Sequence, residues 1–364
     1  MSDWKARAEI DGDVVFFRYA EPGVEKSYEE VFVWDLDKTY LDTSLGSLRE
    51  LWRTALEAAF QKRNIPGTGS LVRALKDSWA QDPQGLLNQA RSARRPFPIF
   101  FITASPPQME AKIREKLELD EILPLGCFCK DNLRNLRPSR LWRLTQQVGY
   151  KVQALLALRA KLGPDVRQVL WGDDSESDAS IYSLYSDICA RRWSEKELLR
   201  ILRGLRVVGE QTDAILALQD EIPAHDPVDK IYINLASDTD PEYYLKFGRR
   251  MVPTYNTFQT ALDLFQDGRL QPEQAVRIAN DMAMNYGFTP EELEASIDNL
   301  VRRRLLGTEA CAALLPMLRA HRVVSVDFAP SAGPVQGLSQ SAHEAIPGLE
   351  PWVPEQIDYL HEFR

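Results

Sequence analysis

Apolar positions along this chain follow two rhythms. Short continuous runs end abruptly on acidic or hydroxyl side chains, and longer stretches place an apolar residue every three or four positions. The short runs predict buried strands, because a strand covered on both faces reads as unbroken apolar sequence. They lie at Val14 to Tyr19, Val31 to Trp34, Pro98 to Ile102, Ile122 to Phe128, Val166 to Trp171, Lys230 to Leu235 and Arg249 to Tyr255. The longer stretches predict helices at Leu48 to Phe60, Leu71 to Trp79, Pro83 to Arg94, Met109 to Leu119, Lys151 to Leu162, Ile181 to Tyr185, Phe258 to Phe265, and between Glu195 and Leu218. Pro272 to Leu306 reads as two helices joined at Gly287-Phe288-Thr289-Pro290, with Thr289 placed to cap the second.

Strands alternating with helices predict an α/β fold with a mostly parallel sheet and helices on both faces. Residues 1–268 are expected to form this domain, with a small helical insert at roughly 44–96 after the first buried strand. A helical extension is expected over 269–322. The remainder, 323–364, is rich in Pro, Gly, Ser and Ala and is expected to be an extended tail.

Composition narrows the field. With 44% hydrophobic and 27% charged residues the chain has material for a core, and it holds no apolar run of 18 residues that would span a membrane. Met1-Ser2-Asp3-Trp4-Lys5 lacks a basic-then-apolar leader, which points to the cytoplasm. Cys127, Cys129, Cys189 and Cys311 form no C-x-x-C pair; Cys127 and Cys129 flank Phe128 as one face of a short strand would, and the four histidines are scattered, so zinc is not expected. Net charge is -9, and the acidity is concentrated in 201–364, which hold 14 Lys/Arg against 24 Asp/Glu. A general nucleic-acid binder would carry a basic excess instead.

The strand ends carry the candidate chemistry. Val31 to Trp34 runs directly into Asp35-Leu36-Asp37, two carboxylates that repel each other and lose hydration unless a cation sits with them. Oxygen donors of this kind suit Mg²⁺. The run ending at Ile102 delivers Thr103 and Ser105, and the run ending at Trp171 delivers Asp173, Asp174 and Asp178. In a parallel sheet such ends meet along one edge, where open α/β sheets bind ligands, and Lys151 reaches the same edge from a helix start. Blander readings stand beside these. Asp173, Asp174 and Asp178 suit helix capping as well as ligation, and Asp42 and Thr43 suit capping of the following helix; Lys151 has Lys130 and Lys161 as neighbouring substitutes; and Ser105 competes with Thr103 as an anion donor. Arg134, Arg137 and Arg140 read as a solvated helix surface, with an anion-receiving patch as the alternative.

These pieces, in this order, resemble the haloacid-dehalogenase-like phosphatase superfamily. Asp35-Leu36-Asp37-Lys38-Thr39 matches its D-x-D-x-T motif, Ile99 to Thr103 its second motif, Lys151 its third, and Gly172-Asp173-Asp174 through Asp178 its acidic fourth. Within the superfamily the likeness is greatest to the actin-patch and lipin-type phosphatidate phosphatases, over roughly residues 28–190. It rests on Asp42-Thr43, Ser105-Pro106 and Asp178-Ala179-Ser180-Ile181-Tyr182, whereas Pro107 stands where an aromatic residue is more usual. The resemblance implies a Rossmann-like sheet and a phosphomonoester hydrolase.

The residue chemistry agrees. Asp35 is the expected nucleophile, forming an aspartyl-phosphate, and Asp37 the general acid and base. Mg²⁺ is expected on the Asp35 carboxylate, the Asp37 main-chain carbonyl and Asp173, with Asp174 or Asp178 acting directly or through water. Thr103 is expected to donate to a phosphoryl oxygen and Lys151 to offset phosphate charge. The substrate class is open among a small phosphorylated metabolite, a lipid head group and a phosphoprotein. The C-terminal half is a candidate for a protein partner or self-association. A different class of protein, a non-catalytic Mg²⁺-dependent sensor of a phosphorylated ligand such as phosphatidate, would use the same pocket but would not need Asp37.

Overall fold

The structure is a computed structural model that describes residues 4–42, 64–80, 96–131, 147–175, 177–330 and 353–362. The expected helices at Leu48 to Phe60 and Pro83 to Arg94, Thr43, and the arginines at 134, 137 and 140 lie outside these residues. The described chain forms two compact units. One is drawn from Met1–Arg63, Pro96–Ile233 and Val353–Arg364, the other from Asn64–Arg95 and Asn234–Trp352.

Seven strands build the first unit: β1 (Ala8–Asp11), β2 (Val14–Arg18), β3 (Glu30–Asp35), β4 (Ile99–Thr103), β5 (Gly126–Lys130), β6 (Arg167–Asp173) and β7 (Val228–Asn234). They lie in the order β1-β2-β5-β4-β3-β6-β7. β5, β4, β3 and β6 are parallel, while β2 runs antiparallel to both β1 and β5. The apolar runs therefore form the expected mostly parallel α/β sheet. β1 was not expected from its four residues, three of them exposed. Its signal is the turn: Asp11 pairs with Val14 across a two-residue loop in which Gly12 takes a left-handed φ of 58°, the conformation that tight hairpins require and glycine allows.

The connection from β4 to β5, through the helix Glu110–Leu119, moves away from β3 on one side. The connection from β5 to β6, through the helix Val148–Lys161, crosses back to the other side. Right-handed crossovers in opposite directions place these helices on opposite faces of the sheet. They also make the gap between β3 and β6 the point where strand order reverses, which is where such sheets open a crevice at their carboxyl edge. The expected long helix between Glu195 and Leu218 is two helices, Glu195–Gly204 and Gly209–Glu221, with Arg206 at a φ of 58° between them.

Behind the crevice stands an aromatic layer. Trp34 is paired in register with Trp171, and their rings stack with centroids 4.6 Å apart; Trp171 stacks in turn on Tyr232 at 5.0 Å and packs against Phe32 at 5.9 Å. All four are buried. Cross-strand aromatic pairs of this kind add to the stabilisation of simple area burial.

The second unit contains the short strand β8 (Met251–Thr254) and the helices Thr68–Ala80, Thr257–Gln266, Pro272–Tyr286, Pro290–Arg302 and Thr308–Ala320. Thr289 caps Pro290–Arg302 as expected, in a reciprocal box with Glu292. Thr68–Ala80 is held here by Gln274, whose side-chain amide donates to the Ala74 carbonyl at 3.0 Å, and the Thr257 hydroxyl donates to the Pro66 carbonyl at 2.6 Å. The units thus follow a different line from sequence boundaries at 268 and 322, because a helix near residue 70 packs with helices 200 residues later. The chain end also differs from an extended tail: Tyr359 is buried in the first unit, and its hydroxyl donates to Asp187 at 2.6 Å.

Removing the central ring of the aromatic layer tests this account. Trp171→Ala is expected to cost ~3–5 kcal/mol, read as a lower urea midpoint for the first unit; a change under ~1 kcal/mol would show that the stack is not a principal support of the β3–β6 junction.

Candidate active site

Asp35 is the last residue of β3 and Asp173 the last of β6, so the reversal of strand order brings both to the same crevice. Asp178 opens the helix Asp178–Cys189, and Lys151 lies in the first turn of Val148–Lys161. All four side chains are removed from solvent: Asp35 and Lys151 are 1% exposed, Asp173 2% and Asp178 0%. The Lys151 ammonium lies 2.9 Å from Asp35 Oδ1 and donates to Asp178 Oδ1 at 2.5 Å. The second oxygen of Asp178 accepts the main-chain N–H of Asp173 at 3.2 Å, and Asp173 Oδ1 accepts the N–H of Ser175 at 2.6 Å.

One oxygen from each of Asp35, Asp173 and Asp178 falls within 4.8 Å of the others. Three buried carboxylates with one lysine between them leave an excess of negative charge, and burying such charge without compensation is costly. A donor set made wholly of carboxylate oxygens fits a hard divalent cation. Asp174, half-buried, stands outside this cluster.

The cluster depends on a close approach that only glycine permits. A Cβ at Gly172 would meet Asp178 Oδ2 and Cβ at 2.5 Å, so any larger residue pushes the carboxylate away from Asp173. Gly172 belongs to the quoted fourth motif, yet its steric role is visible only when the helix is placed against the strand.

Asp37 lies beyond the end of β3 in a tight loop. Leu41 donates its N–H to the Leu36 carbonyl at 2.9 Å, and Lys38 donates its own to the Leu41 carbonyl at 2.8 Å. The Thr103 hydroxyl donates to Asp37 Oδ2 at 2.7 Å and accepts the Ser105 N–H at 3.0 Å. The structure therefore joins Thr103 to Asp37 and leaves Ser105 contributing a backbone donor to Thr103. Thr39 Oγ1 stands 3.5 Å from Asp35 Oδ2.

In the sequence Lys38 carries no mark beyond standing at a variable position of the first motif. It adopts a left-handed φ of 59°, uncommon for a residue with a side chain, and its ammonium donates to the Ser175 hydroxyl at 2.9 Å. That contact ties the loop after β3 to the loop after β6. Asp35, Asp37, Thr103, Lys151, Asp173 and Asp178 are thus brought together from four chain segments.

A parallel sheet with acidic strand ends, a buried lysine and a hydroxyl-bound second aspartate defines a phosphatase site of the haloacid-dehalogenase-like class. Residues 31–195, which contain every one of these side chains, match the family described as "Phosphatidate phosphatase APP1, catalytic domain". Over that stretch the chain is similar to this family, and the match indicates a phosphoric monoester hydrolase. No curated protein and no solved structure matches the chain. Among the described residues, no helix is long and apolar enough to cross a membrane.

Gly172→Ala tests the close approach. The added methyl is expected to displace Asp178 and lower phosphatase turnover at saturating divalent cation by about tenfold or more, a loss of ~1.4 kcal/mol or more in the transition state. Turnover equal to that of the unaltered protein would mean that Asp178 need not sit against the strand.

Proposed function

We propose that this protein is a Mg²⁺-dependent phosphatidate phosphatase that works through an aspartyl-phosphate on Asp35. The observation that carries this reading is the joining of the buried Asp35, Lys151, Asp178 and Asp173 to an Asp37 whose carboxylate is held by Thr103. The name of the matched family supplies the lipid substrate. Because that match is to a catalytic domain, it gives the sensor alternative no support.

In this mechanism an Asp35 carboxylate oxygen attacks phosphorus while the ester oxygen leaves, taking a proton from Asp37. Asp37, now ionised, removes a proton from a water that attacks the same phosphorus. The bond to Asp35 breaks, releasing inorganic phosphate and restoring the carboxylate. Lys151 holds Asp35 in position and offsets phosphoryl charge as it develops. Asp35, the Asp37 main-chain carbonyl and Asp173 would hold Mg²⁺, with Asp178 or Asp174 acting directly or through water. When bound, the ion supplies charge neutralisation for the phosphoryl oxygens. Thr103 is positioned to exchange its bond to Asp37 for one to a phosphoryl oxygen. Four buried free cysteines are in keeping with a reducing, cytoplasmic setting.

The test is phosphate release from phosphatidate in mixed micelles, with and without Mg²⁺. Chelation with EDTA is expected to abolish release, and Asp35→Asn to reduce it by about a thousandfold or more while the circular dichroism spectrum is unchanged. Undiminished release by Asp35→Asn would sink the covalent mechanism. Activity on soluble phosphomonoesters but not on phosphatidate would remove the lipid from the assignment.

A further inference from the structure

Two buried phenols outside the carboxylate and lysine set brace the strand ends that carry it. Tyr150 precedes Lys151, and its hydroxyl donates to the main-chain carbonyl of Thr103 at 2.7 Å. Tyr182 lies one helical turn after Asp178 and donates to the main-chain carbonyl of Trp171 at 2.8 Å. Tyr150 is 0% exposed and Tyr182 1%. Burial raises both phenols well above their ordinary range, so each stays a donor across the working pH.

The accepting carbonyls occupy equivalent places. Thr103 closes the ladder between β4 and β5, opposite Cys129, and Trp171 closes the ladder between β6 and β3, opposite Trp34. β4 ends at Thr103 and β6 runs two residues beyond Trp171 to Asp173, so a side-chain donor at each of these rungs helps to fix a strand end that carries site residues. The chains of contact then diverge. From Tyr150 they run through Thr103 to Asp37 Oδ2. From Tyr182 they run back along the helix to Asp178, which packs against Gly172 and accepts the Asp173 N–H.

We propose that Tyr150 and Tyr182 are positioning residues with separate duties: Tyr150 sets the Thr103 and Asp37 side, where the proton is handled, and Tyr182 sets the Asp173 and Asp178 side, where the divalent cation is held. This division rests on the mechanism proposed above. Neither phenol touches the reacting atoms, and each acts through a single carbonyl.

Tyr150→Phe and Tyr182→Phe in the full chain each remove one hydroxyl and leave the packing ring. Losing one hydrogen bond of this kind corresponds to about tenfold in the property it supports. Tyr150→Phe is therefore expected to lower kcat about tenfold, leaving KM and Mn²⁺ affinity within about twofold. Tyr182→Phe is expected to weaken Mn²⁺ binding about tenfold, read from the free-ion EPR signal without substrate, while kcat at saturating metal stays within about threefold. Adding Tyr150→Phe to Thr103→Val should cost less than it does alone, because both act on one contact chain. Equal losses of kcat and metal affinity in both variants would overturn the division, as would a lowered melting temperature with both parameters unchanged. Phosphate release absent from the unaltered protein would refute the proposed mechanism instead, and the Mn²⁺ titration of Tyr182→Phe would still decide the metal-side role.

Discussion

The buried Lys151 ammonium, set between Asp35 and Asp178, is the interaction on which the first unit's architecture turns. A lysine and three carboxylates removed from water are unfavourable unless each finds a partner at close range. The partners here come from a strand end, the first turn of one helix and the first residue of another. The electrostatic requirement is therefore also a packing requirement: β3, Val148–Lys161 and Asp178–Cys189 must all arrive at one point. The negative charge left after one lysine has been counted is the physical basis for a divalent cation at the same place.

Rigidity behind this point comes from the stacked rings of Trp34, Trp171 and Tyr232, which span three adjacent strands. Side chains at the ends of such strands are held on a surface with little freedom to shift, and geometry of this kind is what phosphoryl transfer demands from a protein. The loops that follow are tied down separately. Lys38 reaches Ser175, Thr103 reaches Asp37, and Asp178 reaches the backbone of Asp173. The crevice is thus pre-organised from below by apolar packing and from its rim by polar contacts.

Much of the site was legible in the sequence because chemistry and secondary structure coincide there. A charged residue at the end of a buried apolar run is expensive wherever it occurs, so Asp35 and Asp173 announce themselves, and the order of the four motifs links Thr103 and Lys151 to them. Other features left no such mark. The Gly172 contact involves a residue six positions later on a helix whose docking no periodicity reveals. Tyr150 and Tyr182 look like ordinary core aromatics, since a hydroxyl directed at a carbonyl has the same sequence signature as one directed anywhere else. The hairpin of β1 did carry a signal, Asp11-Gly12, but its exposed strand lacked the apolar pattern that the buried strands share.

The sequence by itself determined most of the buried strands of the first unit and the helices between them, that the sheet is mostly parallel, and that Asp35 and Asp173 stand at its carboxyl edge. These follow from local periodicity and from the cost of burying charge, both of which act over a few residues. Only the tertiary structure decided that residues 64–80 pack with helices from the second half of the chain, that Tyr359 buries itself beside Asp187, and that Asp178 rather than Asp174 joins the carboxylate cluster. Each of these depends on side chains that meet across long separations in the chain. Their positions are set by how whole elements dock, which local pattern does not encode.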